Sequence, residues 1–173
     1  PARQTGGVRY FQESQFLEDV FTFNDFSNTM VEPVHTPHLV TEFSGHMFPT
    51  KSWDQEERLI EHALRHARIQ DKQLGMDKVA GAIGWCAFDY NTHQEFGSGD
   101  RICYHGVMDI FRLPKYAAYF YESQVSPETR PVLRAATVWS MGDRSGGGND
   151  PLVVFSNCEA IEVYVGDKLQ GRF

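Results

Sequence analysis

The sequence predicts an α/β protein followed by a short all-β segment, and three observations carry that prediction. Apolar runs at 34–43 and 79–88 have the length and β-branched or small-residue content of buried strands. The one strongly periodic helix in the chain, 52–75, lies between them. Pro127 and Pro131 then mark a boundary beyond which only short β runs remain. Strand, helix, strand, helix is the alternation that implies parallel pairing. A chain of 173 residues that is 41% hydrophobic is long enough for one domain with a sizeable core, or for parts of two.

Residues 10–26 are dense in aromatics. The stretch holding Phe16 and Leu17 has helical character, whereas 19–24 reads as a short strand ending at Asn24-Asp25. A connector restrained by Pro33 and Pro37 leads into the strand at 34–43. Ser52-Trp53-Asp54-Gln55 fits a capping box, with Ser52 as N-cap and Gln55 reaching back. Leu59, Ile60, Ala63, Leu64 and Ala67 then form one apolar stripe, and Gly75 stops the helix. The strand at 79–88 is followed by a polar loop, 89–101, with turn-prone Gly97, Ser98 and Gly99. A helix over 113–123 begins near Pro114 and carries Tyr116, Ala117, Tyr119, Phe120 and Tyr121. The Ser-Gly-Gly-Gly run within 144–149 reads as a flexible loop rather than a phosphate cradle, since no Lys-Ser/Thr follows. Runs at 152–155 and 160–165 read as a two-strand start of a sandwich domain.

A formal net charge of −7 leaves no basic footprint for nucleic acid. No stretch approaches the ~20 apolar residues of a membrane span, and the first seven residues lack a signal pattern, so this amino terminus reads as internal. Cys86, Cys103 and Cys158 have neither CxxC nor zinc-type spacing and read as reduced, mostly buried thiols, with Cys86 a small apolar strand residue. His62 and His66 are spaced i, i+4, but they lie opposite the stripe made by Ile60, Leu64 and Ala67, on the predicted solvent face, with no third ligand apparent. Neither a metal nor a cofactor is expected.

Glu42 is the only acid in its apolar run, and Ser44, Gly45 and His46 follow it closely. The carboxyl ends of parallel strands face the crevice where α/β proteins place ligands, so a lone Glu there is a candidate nucleophile or general base. The competing reading is a carboxylate paired with a nearby Arg.

Together, the motifs 42–46 (Glu-Phe-Ser-Gly-His), 80–90 (Ala-Gly-Ala-Ile-Gly-Trp-Cys-Ala-Phe-Asp-Tyr) and 106–115 (Gly-Val-Met-Asp-Ile-Phe-Arg-Leu-Pro-Lys) resemble the carboxyl-terminal part of the catalytic domain of family 2 glycoside hydrolases, in the bacterial β-galactosidase branch. The resemblance covers about residues 6–125, and a weaker one, to the sandwich domain that follows, covers 132–173. It implies that 1–126 is the last part of a (β/α)8 TIM barrel, three βα units with strands six to eight, and that 132–173 opens an immunoglobulin-like β-sandwich.

By the same resemblance Glu42, in Thr-Glu-Phe, is the nucleophile of a retaining β-glycosidase, His46 contacts sugar hydroxyls, and Trp85 floors the galactosyl pocket. Against these stand a histidine bonded only to local backbone and a core tryptophan. Asp89 and His105 are pocket residues or their neighbours, and an Asn often stands where His105 is in related enzymes. Many members place a Tyr at the end of the first strand to hydrogen-bond the nucleophile; here Asn24 and Asp25 are the weaker candidates for that task. The acid/base carboxylate of the family follows an Asn on an earlier strand, and no Asn-Glu pair precedes Glu42, while Glu13 and Glu18 fall in the wrong part of the pattern. The chain alone is therefore expected to be inactive. Its partners are then a carbohydrate substrate and the remainder of the same polypeptide, or a companion chain, with a homo-oligomer admitted. The bacterial cytoplasm or periplasm is the expected compartment. The rival readings are a non-catalytic carbohydrate-binding or scaffold piece, and a family member acting on a glucuronide, mannoside or algal galactan.

Overall fold

The computed structural model describes residues 19–93, 99–139 and 151–173. The helical character around Phe16 and Leu17, the Gly97-Ser98 turn and the glycine run within 144–149 lie outside the described residues. The chain divides into two compact units, 1–118 and 119–173.

In the first unit, β1 (Phe21–Asn24), β2 (His38–Ser44) and β3 (Val79–Trp85) form a parallel sheet in the order β1-β2-β3. The predicted parallel pairing is present, although β2 and β3 are shorter than the apolar runs that announced them. The 34–37 segment stays irregular, where Pro37 follows a cis peptide bond. Helix α1 (Glu56–Leu74) connects β2 to β3 and packs against β3. Met30, Val40, Phe43, Ile69 and Val79 make the core between them, with Met76 and Ala82 packed on its edge.

Two expectations about α1 are corrected. Ser52 is not its N-cap, because the Asp54 carboxylate accepts the Lys51 amide at 2.7 Å and closes a separate turn over 51–54. The helix therefore starts three residues later than that capping box requires, with Gln55 at the cap position, no side-chain cap, and Glu56 and Glu57 favouring its positive end. Its termination at Gly75 is as predicted. The second correction is larger. His62 and His66 are 2% and 0% exposed, so they lie on the buried face with Leu59, Ala63 and Ile69. The His66 ring stands 5.4 Å from Phe43 and 5.0 Å from His62. Burial drives both imidazoles to the neutral form, His66 down to about 4 and His62 well below its ordinary value. A neutral imidazole packs as a small aromatic, which a stripe counted in aliphatic residues overlooks.

Beyond β3 the chain runs on through 86–89, paired with 105–108: Cys86 N–H donates to His105 O, Val107 to Cys86 O, Met108 to Ala87 O and Asp89 to Met108 O. Phe88 and Met108 bridge in parallel. Gly106 has to be glycine here, since a Cβ would collide with backbone of Phe88, Asp89 and Met108. The polar loop between these segments contains a short hairpin, β4 (Tyr90–Asn91) with β5 (Ile102–Cys103). Helix α2 (Tyr116–Glu122) starts after Pro114 and Lys115, later than predicted, because Lys115 N–H is bonded to Val107 O.

Among the described residues the second unit contains two antiparallel strand pairs. β6 (Leu133–Ala135) pairs antiparallel with β7 (Val154–Ser156), and β8 (Glu162–Val165) with β9 (Lys168–Arg172). The runs at 152–155 and 160–165 thus belong to different strand pairs. Asn157 separates them: its Oδ1 accepts the Val132 N–H at 2.7 Å, and its Nδ2 donates to Val125 O and Arg130 O, each at 2.9 Å. Gly166, at φ +57°, sits in the two-residue turn between β8 and β9, where the left-handed conformation suits a strand hairpin. Cys158 is exposed rather than buried, and Cys103 is buried.

Candidate active site

The site begins with an irregularity in β2. Phe23 pairs with Val40 and Asn24 with Glu42, so β2 spends one more residue than β1 over this step. Against β3, Val40 pairs with Ala82 and Phe43 with Gly84, which shows the same extra residue from the other side. A β-bulge at Thr41-Glu42 meets both counts, and burial agrees, since the two consecutive residues are half-exposed between buried Val40 and Phe43. Bulges re-aim side chains that strict alternation would send to opposite faces. Here both Thr41 and Glu42 reach Asn24 at the end of β1.

Asn24 Nδ2–H donates to Glu42 Oε2 at 3.0 Å, and Thr41 Oγ1–H donates to Asn24 Oδ1 at 2.8 Å. Asn24 thus stands in hydrogen-bond contact with the carboxylate. Asp25 is used otherwise: buried, it accepts the amides of Ser27 at 2.8 Å and Val31 at 2.7 Å and shapes the connector. Burial raises the Glu42 carboxyl above its ordinary range, opposed by the positive charge that His46 can carry.

Immediately after Glu42 the chain turns sharply, with Ser44 at φ +66° and Gly45 at φ +52°, into a 3-10 turn over Gly45–Met47. A Cβ on Gly45 would lie 3.2 Å from Trp85 Cδ1 and 3.4 Å from Glu42 Oε1. The glycine therefore lets the strand end close down on both side chains and brings the carboxylate and the indole to one point. Ser44 and Trp85 are register partners across β2 and β3. Trp85 is 39% exposed, so it is not a core tryptophan in this chain. Its Nε1–H donates to Tyr90 Oη at 3.2 Å, and Tyr90 in turn stands edge-on to His105, with centroids 6.1 Å apart.

His46 is exposed, packs edge-on against Phe26 at 4.9 Å, and acts electrostatically on both Glu42 and His105. His105 is buried, and burial with the charges of His46 and Lys115 lowers it to about 4, a neutral imidazole at physiological pH. Glu42, Asn24, His46, Trp85 and His105 are thus brought together by the sheet and its two following loops. Sequence reasoning passed over Tyr90, Phe26, Thr41 and Gly45 as functional parts. For Tyr90 the signal was its place at the end of the glycine-laced motif; for Thr41 the bulge leaves no signature in composition.

Asp89 differs. Its Oδ1 accepts Lys115 Nζ at 2.7 Å and the Gly106 N–H at 2.8 Å, and Lys115 also donates to Thr50 O at 2.6 Å. Burial pulls Asp89 up and Lys115 down, each towards neutrality, and their mutual contact opposes both. This pair ties together the loops after β2 and β3. Among the described residues no group of three His, Cys, Asp or Glu side chains is arranged to hold a metal ion, and no helix is long and apolar enough to cross a membrane.

No family model matches the chain. It is 57% identical over 97% of its length to a β-galactosidase of Thermoanaerobacterium thermosulfurigenes, covering 25% of that protein. It is 40% identical over 96% of its length to a β-galactosidase of Rhizobium meliloti, again covering 25%. Among solved structures, the apo β-glucuronidase 3 of Bacteroides uniformis matches 90% of the chain with a TM-score of 0.66 at 17% identity, over 24% of its own length. A β-glucuronidase from glycoside hydrolase family 2 matches 93% with a TM-score of 0.63 at 20% identity, over 18% of its length. At those identities the structures speak for the fold alone. The chain spans about a quarter of the length of the β-galactosidases it matches. In sequence the chain is similar to part of these β-galactosidases, and in fold it is similar to part of a β-glucuronidase from glycoside hydrolase family 2.

Proposed function

We propose that this chain carries the nucleophile of a retaining β-galactosidase whose remaining parts lie in the rest of the polypeptide. The observation that carries this reading is the setting of Glu42: a half-exposed carboxylate re-aimed by a bulge, held at Oε2 by Asn24, with Oε1 on the side of Gly45, which also borders Trp85. The identity to proteins named β-galactosidase favours a galactoside over a glucuronide or mannoside. In this reading the three parallel strands and the 105–108 segment belong to the last three βα units of an eight-stranded barrel, and the strand pairs of residues 132–173 open an immunoglobulin-like sandwich.

Glu42 Oε1 attacks the anomeric carbon while an acid from outside this chain protonates the departing glycosidic oxygen, which leaves a covalent glycosyl ester. Water then attacks the same carbon, the ester bond breaks, and two inversions give net retention. Trp85 lies against the apolar face of the sugar, and the neutral His105 and exposed His46 meet its hydroxyls.

The test uses Glu42→Gly in the full-length protein with an activated aryl β-galactoside and azide. Turnover should fall by about 10⁴-fold or more without azide. Azide, entering the vacated space and expelling the aryl alcohol in one displacement, should restore it and give the α-galactosyl azide. Recovery of the β-galactosyl azide would reassign Glu42 to acid/base duty.

A further inference from the structure

We propose that Thr41 is a positioning residue for the nucleophile: its hydroxyl locks the Asn24 amide in the one orientation that presents an N–H to Glu42. The inference rests on the reading of Glu42 as nucleophile. A carboxylate only accepts hydrogen bonds, so the amide nitrogen of Asn24 has to be the atom facing Glu42 Oε2, at 3.0 Å. That leaves Asn24 Oδ1 on the opposite side, where it needs a donor. Thr41 Oγ1–H, 2.8 Å away, is that donor.

The terminal torsion of an asparagine is soft and roughly two-fold, so nothing intrinsic to Asn24 prevents the amide from turning its oxygen towards the carboxylate. In that orientation a partial negative charge faces a full one, and Glu42 loses its donor. The Thr41 hydroxyl removes the choice. It can do so only because of the bulge, which puts two consecutive residues of β2 within reach of one residue of β1. Threonine meets both demands of the position: branching at Cβ suits a strand, and the hydroxyl donates. With Oε2 fixed in this way, Oε1, which lies on the Gly45 side of the carboxylate, is the oxygen left for attack.

The experiment compares Thr41→Val and Thr41→Ser in the full-length protein through pH profiles of kcat/KM on an activated aryl β-galactoside, with Glu42→Ala alongside. The acid limb of such a profile reports the free enzyme's essential base. Thr41→Val, nearly isosteric, should lower kcat/KM roughly tenfold and move the acid limb up by about one pH unit. Thr41→Ser, which keeps the hydroxyl, should restore both. A Thr41→Val enzyme whose acid limb stays in place, or a Thr41→Ser enzyme that behaves like Thr41→Val, would overturn the proposal. If Glu42→Ala retains wild-type turnover, the nucleophile reading itself fails; an inert Glu42→Ala beside an unaltered Thr41→Val overturns the Thr41 assignment alone.

Discussion

Glu42 and Asp89 sit at or just beyond the carboxyl-terminal ends of adjacent parallel strands, and burial raises both, yet their surroundings give them opposite occupations. Asp89 is sealed, 4% exposed, against a lysine whose side chain is wholly buried, with a backbone amide as second donor. Glu42 is half-exposed, has one neutral donor among the described residues, and turns Oε1 towards Gly45, which also borders Trp85. An acid at the end of a strand is therefore not diagnostic by position; among the described residues, Asp89 is paired with a cation and Glu42 with a neutral amide. Asp89 has the ion-pair partner that the competing reading gave to Glu42, with lysine in place of arginine.

The sharpest way to break this comparison is to remove the cation. Lys115→Met leaves Asp89 buried and uncompensated, and should cost about 3 to 5 kcal/mol in the unfolding transition of the domain that holds it. Asp89→Asn in the same background should recover part of the loss, since the stranded charge is then gone. Chemical denaturation of the full-length protein checks both. An unchanged transition in Lys115→Met would mean that Asp89 finds water or another partner, and the contrast with Glu42 would weaken.

The buried histidines supply a second, somewhat smaller effect. His66 is lowered to about 4 from an ordinary 6.5, so the unfolded chain takes up its proton before the folded one does. The stability that the neutral imidazole contributes is fully present above about pH 6.5 and is lost as pH falls towards 4, by about 3 kcal/mol at the low end. Glu42 and Asp89, raised by burial, act in the opposite sense in the carboxylate range. His66→Phe, placing one aromatic for another against Phe43, isolates the imidazole: its transition should depend less on pH between 6.5 and 4 than that of the wild type. Equal slopes in that window would remove His66 from the account.

These histidines also mark where sequence reading failed. The three parallel strands, the long helix and its stop at Gly75 were legible because periodicity and punctuation are local. So was the convergence of Glu42, Asn24 and Trp85, because all three close β-runs that pair in parallel. His62 and His66 were assigned to solvent because a helical stripe was drawn through aliphatic residues alone, and a histidine reads as polar until burial makes it neutral. The capping box at Ser52 matched in letters, but Asp54 closed a tighter turn first. The bulge at Thr41 was out of reach, since an extra residue in a strand is defined by its neighbours' register and not by its own sequence.

Gly45 offers the smallest effect and the finest discrimination between the two acids, because it touches only one of them. Gly45→Ala asks an L-residue to hold φ +52° and inserts a methyl 3.2 Å from Trp85 Cδ1 and 3.4 Å from Glu42 Oε1. The backbone cost is about 1 to 2 kcal/mol. The contacts are tight rather than impossible, so Trp85 and the carboxylate should each give by a few tenths of an ångström. If Glu42 and Trp85 act together on substrate, kcat/KM on an aryl β-galactoside should fall by roughly tenfold or more, since small misplacements of reacting groups are costly. The Asp89–Lys115 pair, with no contact to Gly45, should be untouched, so the unfolding transition should shift by no more than the backbone cost. A Gly45→Ala enzyme that loses stability but keeps full turnover would show that the turn after β2 shapes the fold without shaping the site, and would separate Trp85 from Glu42 in function.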